Sequence, residues 1–365
     1  MSPQTPGPEE PRRPRRRKLV LALVSLAIGF LGCEALSRVW FRFNPGVHWR
    51  VGADSAWRLA WLRRQQGGIE LYRPGVDLFD PLLGWRNRPG FVNDEPILGS
   101  EVVHIDSRGA RGTREVPYER TDARRIVVIG DSFAFGWGVS DEETYAHRLA
   151  EALPGVEVVN LGGGGYGTDQ MLLMLREEGL RYSPDLVVVG IVSADTERNL
   201  VAFRDFAKPR FVLRAGELEL VDVPVPTPDE VRARSRLRPR LFDLVDVLRT
   251  AVDARGSGRA RRAERLTTAL WERIDAEARA AGARTLFLFA PIDTEIGAAG
   301  PGACERMALA FTEAHGVLLL NLGDEFRERQ RAGETFRPGH WGPHAHAVIA
   351  GALARAIADG GLLEQ

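Results

Sequence analysis

The chain has 365 residues, of which 44% are hydrophobic, and equal numbers of acidic and basic side chains give a formal net charge of zero. This length is sufficient for one sizeable core, and a neutral chain has no overall field that would attract nucleic acid. The only cysteines are Cys33 and Cys304. Because Cys33 ends an apolar run and Cys304 lies in the body of the chain, no structural disulfide is predicted, and Cys304 is expected to pack as a small apolar residue.

A basic tail followed by an uncharged apolar run opens the chain. Residues 1–18 are rich in Pro and Arg, and residues 19–33 carry no charge. This order is typical of a membrane-targeting segment whose N-terminus stays in the cytoplasm. The run is shorter than the roughly 20 residues of a spanning helix, so the helix is predicted to continue through Glu34 and Arg38 and to cover residues 19–40.

We favour an uncleaved signal anchor, with everything after residue 40 outside the cytoplasm. A cleaved signal peptide remains an alternative, as does a lipoprotein cleaved before Cys33. Residues 41–120 are irregular in pattern and rich in Arg, Trp, Gly and Pro, with turns and short strands predicted at 80–90 and 102–112. Because a polar linker of this length is unusual, this segment is expected to be a lead-in packed on the main domain.

Residues 121–365 alternate short apolar runs with segments of helical periodicity. Strands are predicted at 126–129, 156–160, 186–191, 285–289 and 317–321. Helices are predicted at 144–153, 169–179, 260–281, 301–315 and 344–359. Buried strands separated by helices indicate a parallel sheet covered on both faces. An insertion at about 203–258, containing a hairpin and a basic helical segment, is expected to shape the mouth of a site.

Chemically distinctive segments follow three of these strands. Gly-Asp-Ser follows the first strand at 130–132, a glycine-rich turn follows the second at 160–170, and a polar segment follows the third at 190–199. The carboxyl ends of parallel strands meet at one edge of the sheet, where α/β folds place their sites. A serine in a tight turn after a buried strand is a candidate nucleophile if a base reaches it. The candidate base is His340, in the sequence GHWGPHAH.

In this order, the four segments resemble the SGNH/GDSL hydrolase superfamily, and more narrowly its bacterial membrane-anchored members. The resemblance covers most of residues 80–355. It implies a flavodoxin-like three-layer α/β/α sandwich with a parallel sheet, preceded here by the N-terminal transmembrane helix. It also implies hydrolysis of an acyl ester or acylated glycan without a cofactor or nucleic-acid partner. With the anchor, the implied location is a single-pass protein of the bacterial inner membrane whose catalytic domain faces the periplasm.

The resemblance assigns roles to individual residues. Ser132 corresponds to the nucleophile and His340 to the base. Gly165 corresponds to the oxyanion-hole glycine, which acts together with the backbone N–H of Ser132. His346 falls where the pattern has its second histidine, and Asp131 and Asp195 are expected to line the site.

Two positions depart from the family pattern. Ala194 stands where the family has an asparagine, and loss of one oxyanion donor typically lowers the rate by about 10²–10³; Ser193 or the site-lining Asn199 could substitute for it. The positions of the family's acid hold Arg337 and Pro338.

Without that acid the histidine loses its orienting partner. Glu334, Asp324 or a backbone carbonyl could hold its second ring nitrogen. Two further functions stay open. The resemblance to membrane-anchored members implies acyl transfer to an envelope polysaccharide through the same serine, and the two departures allow a catalytically impaired binding module.

Each motif also has a simpler interpretation. Ser132 could be a helix N-cap, and Asp195 with Arg198 and Asn199 could cap a loop or form salt bridges within it. The set His340, His344 and His346 could bind a metal, although no acidic or cysteine ligand lies close in sequence. Residues 162–167 match the dinucleotide fingerprint, but they follow the second strand rather than the first. The arginines at 232–240 are expected to form a solvated face or to meet lipid headgroups.

Overall fold

The computed structural model describes residues 15–65, 71, 73, 75–93, 96 and 102–364; most of the predicted basic tail lies outside these residues. The helices in these ranges are α1 (Arg15–Phe43), α2 (Val47–Val51), α3 (Asp54–Gln65), α4 (Ser132–Phe135), α5 (Tyr145–Ala152), α6 (Thr168–Glu177), α7 (Ala194–Arg198), α8 (Pro228–Leu237), α9 (Arg240–Arg255), α10 (Ser257–Ala280), α11 (Asp293–Ile296), α12 (Ala303–His315), α13 (Gly323–Arg331) and α14 (Pro343–Asp359).

The strands are β1 (Asp77–Asp80), β2 (Gly84–Asn87), β3 (Arg124–Ile129), β4 (Val156–Asn160), β5 (Leu186–Ile191), β6 (Arg210–Arg214), β7 (Glu217–Val221), β8 (Arg284–Phe289) and β9 (Leu318–Asn321). Five of them form a parallel sheet in the order β4-β3-β5-β8-β9. This is the strand order of doubly wound flavodoxin-like folds, so the predicted fold class is confirmed. The strands are those expected from the sequence, with ends that differ by no more than two residues.

Both faces of this sheet are covered, which explains why its strands are apolar at nearly every position. Val127 and Phe287 belong to one cluster of buried residues, with side chains from α6, α10 and α12. Val128 and Leu288 belong to a second cluster, with side chains from α5 and α14. The result is the three-layer arrangement, with the carboxyl ends of β3, β4 and β5 free to present the chemically distinctive segments at one edge.

The expectation that residues 41–65 are irregular is wrong, because α2 and α3 lie there. In α3, Trp57, Ala60 and Trp61 are spaced three and four residues apart and all three are buried, which is the pattern of an amphipathic helix. The tryptophan-rich composition suggested a loop, but it supplies the buried face of a short helix. Trp57 and Trp61 join the larger of the two sheet clusters.

The N-terminal helix α1 is long and apolar enough to cross a membrane, with its apolar window exposed along its whole length. A signal sequence near an N-terminus passes the same test. The predicted continuation past residue 33 is confirmed, since α1 runs through Glu34 and Arg38, which form an ion pair of 2.8 Å. Cys33 on this helix is exposed, whereas Cys304 is buried as predicted, and both are free thiols.

The segment between β5 and α10 contains the predicted hairpin, formed by β6 and β7 around Ala215 and Gly216. It continues into α8 and α9. Helix α8 begins with a capping box in which Thr227 and Glu230 satisfy each other's backbone N–H groups, a strong helix-start signal. Helix α9 packs against α1 and α3, so this segment joins the N-terminal helices to the main domain.

Candidate active site

Ser132 is the first residue of the short helix that follows the central strand β3. Asp131 is the N-cap of this helix, and its Oδ1 accepts a hydrogen bond of 2.9 Å from Phe133 N. The alternative that Ser132 is itself the N-cap is therefore wrong. Ser132 is only 4% exposed, and its Oγ lies 2.8 Å from Nε2 of His340. The structure thus brings together two side chains that are 208 positions apart in sequence.

The imidazole of His340 is held between two aromatic rings from the serine turn. Its ring centroid lies 4.5 Å from that of Phe133 and 5.5 Å from that of Trp137, with both pairs stacked. Hydrogen bonds from residues on both sides of His340 hold its loop in place. Trp341 Nε1 donates to the carbonyl oxygen of Pro291 at 3.1 Å, and Arg337 Nη1 donates to that of Gly138 at 2.7 Å.

No carboxylate among the described residues forms a hydrogen bond or ion pair with the His340 ring. The candidate acids proposed from sequence lie elsewhere: Glu334 Oε2 is 2.6 Å from His344 Nε2, and Asp324 pairs with Arg327. The carboxylate that approaches the histidine loop is Asp293, at the start of α11, whose Oδ2 accepts a 3.1 Å hydrogen bond from Gly339 N. This acid follows strand β8, whereas the family pattern has its acid two or three residues before the histidine.

The charge balance around His340 favours its neutral form. Burial lowers the pKa of the imidazole below its ordinary value of 6.5. The negative charges of Asp131 and Asp293 oppose this shift, and the cations of Arg198 and Arg337 reinforce it. A neutral imidazole at neutral pH can accept a proton from a hydroxyl.

Beneath the serine turn, one arginine joins two buried carboxylates. Arg198 Nη1 donates to Asp131 Oδ2 at 2.7 Å, to Asp195 Oδ1 at 2.9 Å and to the carbonyl oxygen of Tyr166 at 3.0 Å. Burial, followed by repulsion from Asp131, raises the pKa of Asp195 well above its usual value, although Arg198 opposes this. This single guanidinium therefore ties the ends of β3 and β5 to the glycine-rich turn after β4.

The structure gives Asn199 a position away from Ser132. Its Nδ2 donates to Thr168 Oγ1 at 3.2 Å and to Thr267 Oγ1 at 2.9 Å, and its Oδ1 accepts from Asp169 N at 3.2 Å. Both amide hydrogens are thus used, one at the start of α6 and one on α10, and neither is left for an oxyanion. Ala194, at the first position of α7, has no polar side chain to offer.

The glycine-rich turn is buried throughout residues 162–167. Gly165 has a φ of 74°, and a Cβ at this position would lie 2.3 Å from Asp205 Oδ2, so glycine is required there. Among the described residues, the backbone N–H groups of Gly165 and Ser132 have no hydrogen-bond acceptor. These are the two N–H groups that the family resemblance assigns to an oxyanion hole.

Residues of the lead-in hold this turn in place. Trp85 Nε1 donates to the carbonyl oxygen of Gly164 at 2.8 Å, and Tyr166 Oη donates to that of Trp85 at 2.7 Å. Asn87 Nδ2 donates to the carbonyl oxygen of Gly162 at 3.0 Å. The hairpin β1–β2 is therefore part of the structure that shapes the site.

The three histidines near the C-terminus serve different partners. His340 contacts Ser132, His344 contacts Glu334, and His346 Nδ1 accepts a 3.1 Å hydrogen bond from Tyr145 N. In the described part of the chain, no group of three or more potential metal ligands is found. His346 satisfies one of the free N–H groups at the start of α5, which requires an unprotonated Nδ1.

This role makes a prediction about acid stability. Burial lowers the pKa of His346 to about 3, whereas a histidine in an unfolded chain titrates near 6.5. Between these values the unfolded state binds more protons, so the free energy of unfolding is expected to fall with falling pH, by about 2 kcal/mol between pH 8 and pH 5 from this group. Denaturant unfolding of His346→Gln should lack this part of the pH dependence, and the exposed control His344→Gln should retain it. Equal pH dependence in wild type and His346→Gln would contradict the assignment.

A cavity of about 440 Å³ adjoins the site on the side of α7. Its lining includes Ala194 and Arg198 from α7, together with Trp49, Trp57 and Arg204. The two indole rings meet edge to face at 4.9 Å. The cavity thus joins the position of the missing asparagine to an aromatic wall contributed by the lead-in.

Several residues that build the site were not singled out from the sequence. Arg198, Trp137, Asp293 and Trp85 are the main ones. Trp137 lies in the serine segment, so its closeness to Ser132 could be predicted from the sequence. The positions of Asp293 and Trp85 depend on long-range packing and could not. Arg198 was noticed only as a residue that could cap or salt-bridge a loop, and its link to Asp131 requires the sheet.

Comparison with known proteins adds the family. A model described as the GDSL-like Lipase/Acylhydrolase family matches residues 128–348. Among solved structures, a member of the lipolytic protein G-D-S-L family from Veillonella parvula is similar at 11% identity and a TM-score of 0.37, with 65% of this chain and 99% of that chain covered. Axe2, an acetylxylan esterase from Geobacillus stearothermophilus, is similar at 16% identity and a TM-score of 0.39, with 64% of this chain and 94% of that chain covered. The search of curated proteins found no match.

Proposed function

Because the chain belongs to the GDSL-like lipase/acylhydrolase family, we propose that it is a serine esterase or deacylase that acts on a carboxylic ester outside the cytoplasm. The observation that carries this proposal is the 2.8 Å contact between Ser132 Oγ and His340 Nε2. A serine hydroxyl is a weak nucleophile until an adjacent base takes its proton. The lowered pKa of His340 keeps that base available at neutral pH.

The reaction proceeds in two halves. His340 Nε2 takes the hydroxyl proton as Ser132 Oγ bonds to the acyl carbon, and the N–H groups of Ser132 and Gly165 donate to the oxyanion that forms. The C–O bond to the alcohol then breaks, and the alcohol leaves with the proton from His340. A water molecule next gives a proton to His340 and attacks the acyl carbon, and this proton returns to Ser132 Oγ as the carboxylic acid is released.

A fluorophosphonate probe tests the nucleophile directly. We expect the full-length protein in detergent to be labelled, and Ser132→Ala to lose the label because the hydroxyl in contact with His340 is removed. Ser257→Ala, at the exposed start of α10, is the matched control and should be labelled like wild type. Absence of labelling in wild type would favour the binding-module alternative, and equal labelling of Ser132→Ala would exclude Ser132 as the nucleophile.

The pH profile is expected to report the environment of His340. The acid limb of kcat/KM for an activated ester reflects the base of the free enzyme, so it should have an apparent pKa below 6.5, since burial lowers that of His340. Arg337→Gln removes a nearby cation and should move this limb to higher pH, whereas Asp293→Asn removes a nearby anion and should move it to lower pH. An acid limb above the ordinary histidine range, or one that both variants move in the same direction, would contradict this account.

A second candidate function is acyl transfer to a sugar hydroxyl of an envelope polysaccharide, through the same acyl-Ser132. The cavity between Ala194 and the indoles of Trp49 and Trp57 supports it, because aromatic walls suit the apolar face of a sugar ring. Three of the four arginines that line this cavity have carboxylate partners: Arg198 pairs with Asp131 and Asp195, Arg204 with Asp205 and Arg259 with Glu197. The fourth, Arg50, donates a hydrogen bond to the amide oxygen of Asn44. A neutral, hydroxyl-rich acceptor therefore fits better than an anionic one.

A single assay can distinguish acyl transfer from ester hydrolysis. An activated acetyl ester is supplied with neutral oligosaccharides, and acylated sugar and free acetate are measured by mass spectrometry. If transfer occurs, Trp49→Ala should raise the KM for the sugar and leave hydrolysis without sugar unchanged. Hydrolysis alone with every acceptor tested would leave the esterase function and reject transfer to those sugars.

The proposed location follows from α1 and the basic tail before it. We propose a single-pass anchor over residues 19–40, with residues 1–18 in the cytoplasm of a bacterial cell. The lead-in 41–120 and the hydrolase domain 121–365, with its insertion at 203–258, then lie on the periplasmic side. Protease added to spheroplasts should digest the domain. Protection of the domain until the membrane is lysed would reverse the proposed orientation.

A further inference from the structure

Helix α9 turns two acidic side chains inward and exposes a row of apolar side chains. Asp243 is fully buried, where it accepts hydrogen bonds from Arg58, Arg238 and Arg240. Asp246 Oδ2 accepts a 3.0 Å hydrogen bond from Ser55 N. A helix covered by water on its outer face has the opposite arrangement.

The outer face of α9 is a single apolar stripe. Its members are Phe242, Val245, Leu248 and Val252, which are 51%, 38%, 54% and 66% exposed. They follow one another at intervals of three, three and four residues, so they share one side of the helix. Leu237, the last residue of α8, is 87% exposed. An apolar surface of this kind marks an interaction site.

The stripe is continuous with the apolar surface of α1. The ring centroid of Phe242 lies 6.4 Å from that of Phe30, and Leu241 N donates a 2.9 Å hydrogen bond to Glu34 Oε2. One turn further on, Leu244 and Val247 pack in a cluster with Phe41. Helix α9 therefore begins beside the apolar run of α1 and is fixed to it, so that whatever covers α1 at Phe30 also reaches Phe242.

We propose that the N-terminal half of α9 lies in the lipid bilayer against α1, with its apolar stripe among the acyl chains of the leaflet on the domain's side. This inference rests on the proposed membrane anchor α1. Exposed Arg249, two helical turns after Phe242, suits lipid phosphates, and helices that combine an apolar face with basic residues bind to lipid bilayers. The C-terminal end of α9, at Ala254, lines the cavity next to Ala194. The half of α9 that lies in lipid would thus fix the distance between the active site and the membrane.

Site-directed spin labels on the full chain test this inference. Cys33 and Cys304 are first replaced by alanine, and single cysteines are introduced as Val245→Cys or Leu248→Cys. After reconstitution into phosphatidylcholine–phosphatidylglycerol vesicles, collision rates with oxygen, which concentrates in lipid, and with a water-soluble nickel chelate are compared. Two controls are matched: Leu26→Cys on α1 reports the anchor, and Leu309→Cys on α12 is another partly exposed leucine, 42% exposed, away from α9.

We expect the labels at 245 and 248 to resemble the label at 26, with more oxygen than nickel collisions, and the label at 309 to show the reverse. If 248 resembles 309 while 26 reports lipid, the inference about α9 is overturned and the anchor stands. If 26 and 248 both report water, both proposals fail. Labels at 245 and 248 that are shielded from both reagents and broadened by spin–spin coupling would show that a second copy covers the stripe, which also overturns the inference.

Discussion

Replacing His340 with alanine is expected to lower kcat for an activated ester by about 10³–10⁶-fold, because the hydroxyl of Ser132 then has no base to accept its proton. Ser132→Ala should lower kcat to a similar level. The double variant should be no worse than either single variant, because the two groups act as one unit. Initial rates with the same ester, at saturating concentration, give all three values. A His340→Ala enzyme with most of its activity would contradict the proposed mechanism.

His344→Ala is the matched control for this experiment. His344 lies in the first turn of α14, four residues after His340. Its ring contacts Glu334 rather than Ser132. We expect its kcat to equal that of wild type. A large loss in His344→Ala would instead indicate that Glu334 and His344 take part in orienting the base, as the sequence allowed.

The expected size of the His340 effect depends on how the imidazole is held without an acid. In the usual triad, a carboxylate fixes the ring orientation and stabilises the imidazolium. Here Phe133 and Trp137 stack on the ring and fix its plane. Asp293 accepts a hydrogen bond from the backbone N–H of Gly339, and its negative charge raises the pKa of the neighbouring imidazole. Orientation and charge are thus provided by different residues, which is consistent with a functional pair that lacks the acid next to the histidine.

The sheet could be predicted from the sequence because its strands are buried on both sides. A run such as 186–191 has no alternation of polar and apolar residues, and between helical segments such a run indicates a central parallel strand. The edge where Ser132 and the glycine-rich turn meet follows from that topology. Pairing Ser132 with His340 required the family resemblance as well, because nothing in local sequence joins two residues at opposite ends of a domain.

Residues whose roles depend on tertiary contacts could not be predicted in this way. Arg198 carries no signal of its own, since an arginine in a polar segment is more often solvated; only the closeness of β3 and β5 makes it the partner of Asp131. The tryptophans of 41–65 were read as loop composition because their helix is short and its buried face depends on packing against the main domain. The apolar residues of α9 at 242, 245, 248 and 252 recur at helical spacing in the sequence. They mark an exposed face only once Asp243 is found in the interior.

Replacing Arg198 with methionine is expected to lower the free energy of unfolding by about 3–5 kcal/mol at neutral pH, because it leaves the carboxylates of Asp131 and Asp195 buried without a counter-ion. Methionine keeps much of the side-chain volume, so the loss reports charge rather than a cavity. The same change should weaken the ester hydrolysis, since Asp131 directly precedes Ser132. Arg262→Met breaks an exposed ion pair with Asp253 and should change the free energy by no more than about 1 kcal/mol.

The pH dependence of this loss identifies its cause. Without Arg198, the pKa of Asp195, which burial already raises well above its usual value, rises further above that of the unfolded chain, so the folded state binds more protons than the unfolded state. The destabilisation relative to wild type should therefore be larger at pH 8 than at pH 5. The added substitution Asp195→Asn removes one of the two unpaired charges and should restore part of the stability. A pH-independent difference of less than about 1 kcal/mol would show that Arg198 is not the charge that holds the serine turn to β5, because an uncompensated buried carboxylate is destabilising by more than that.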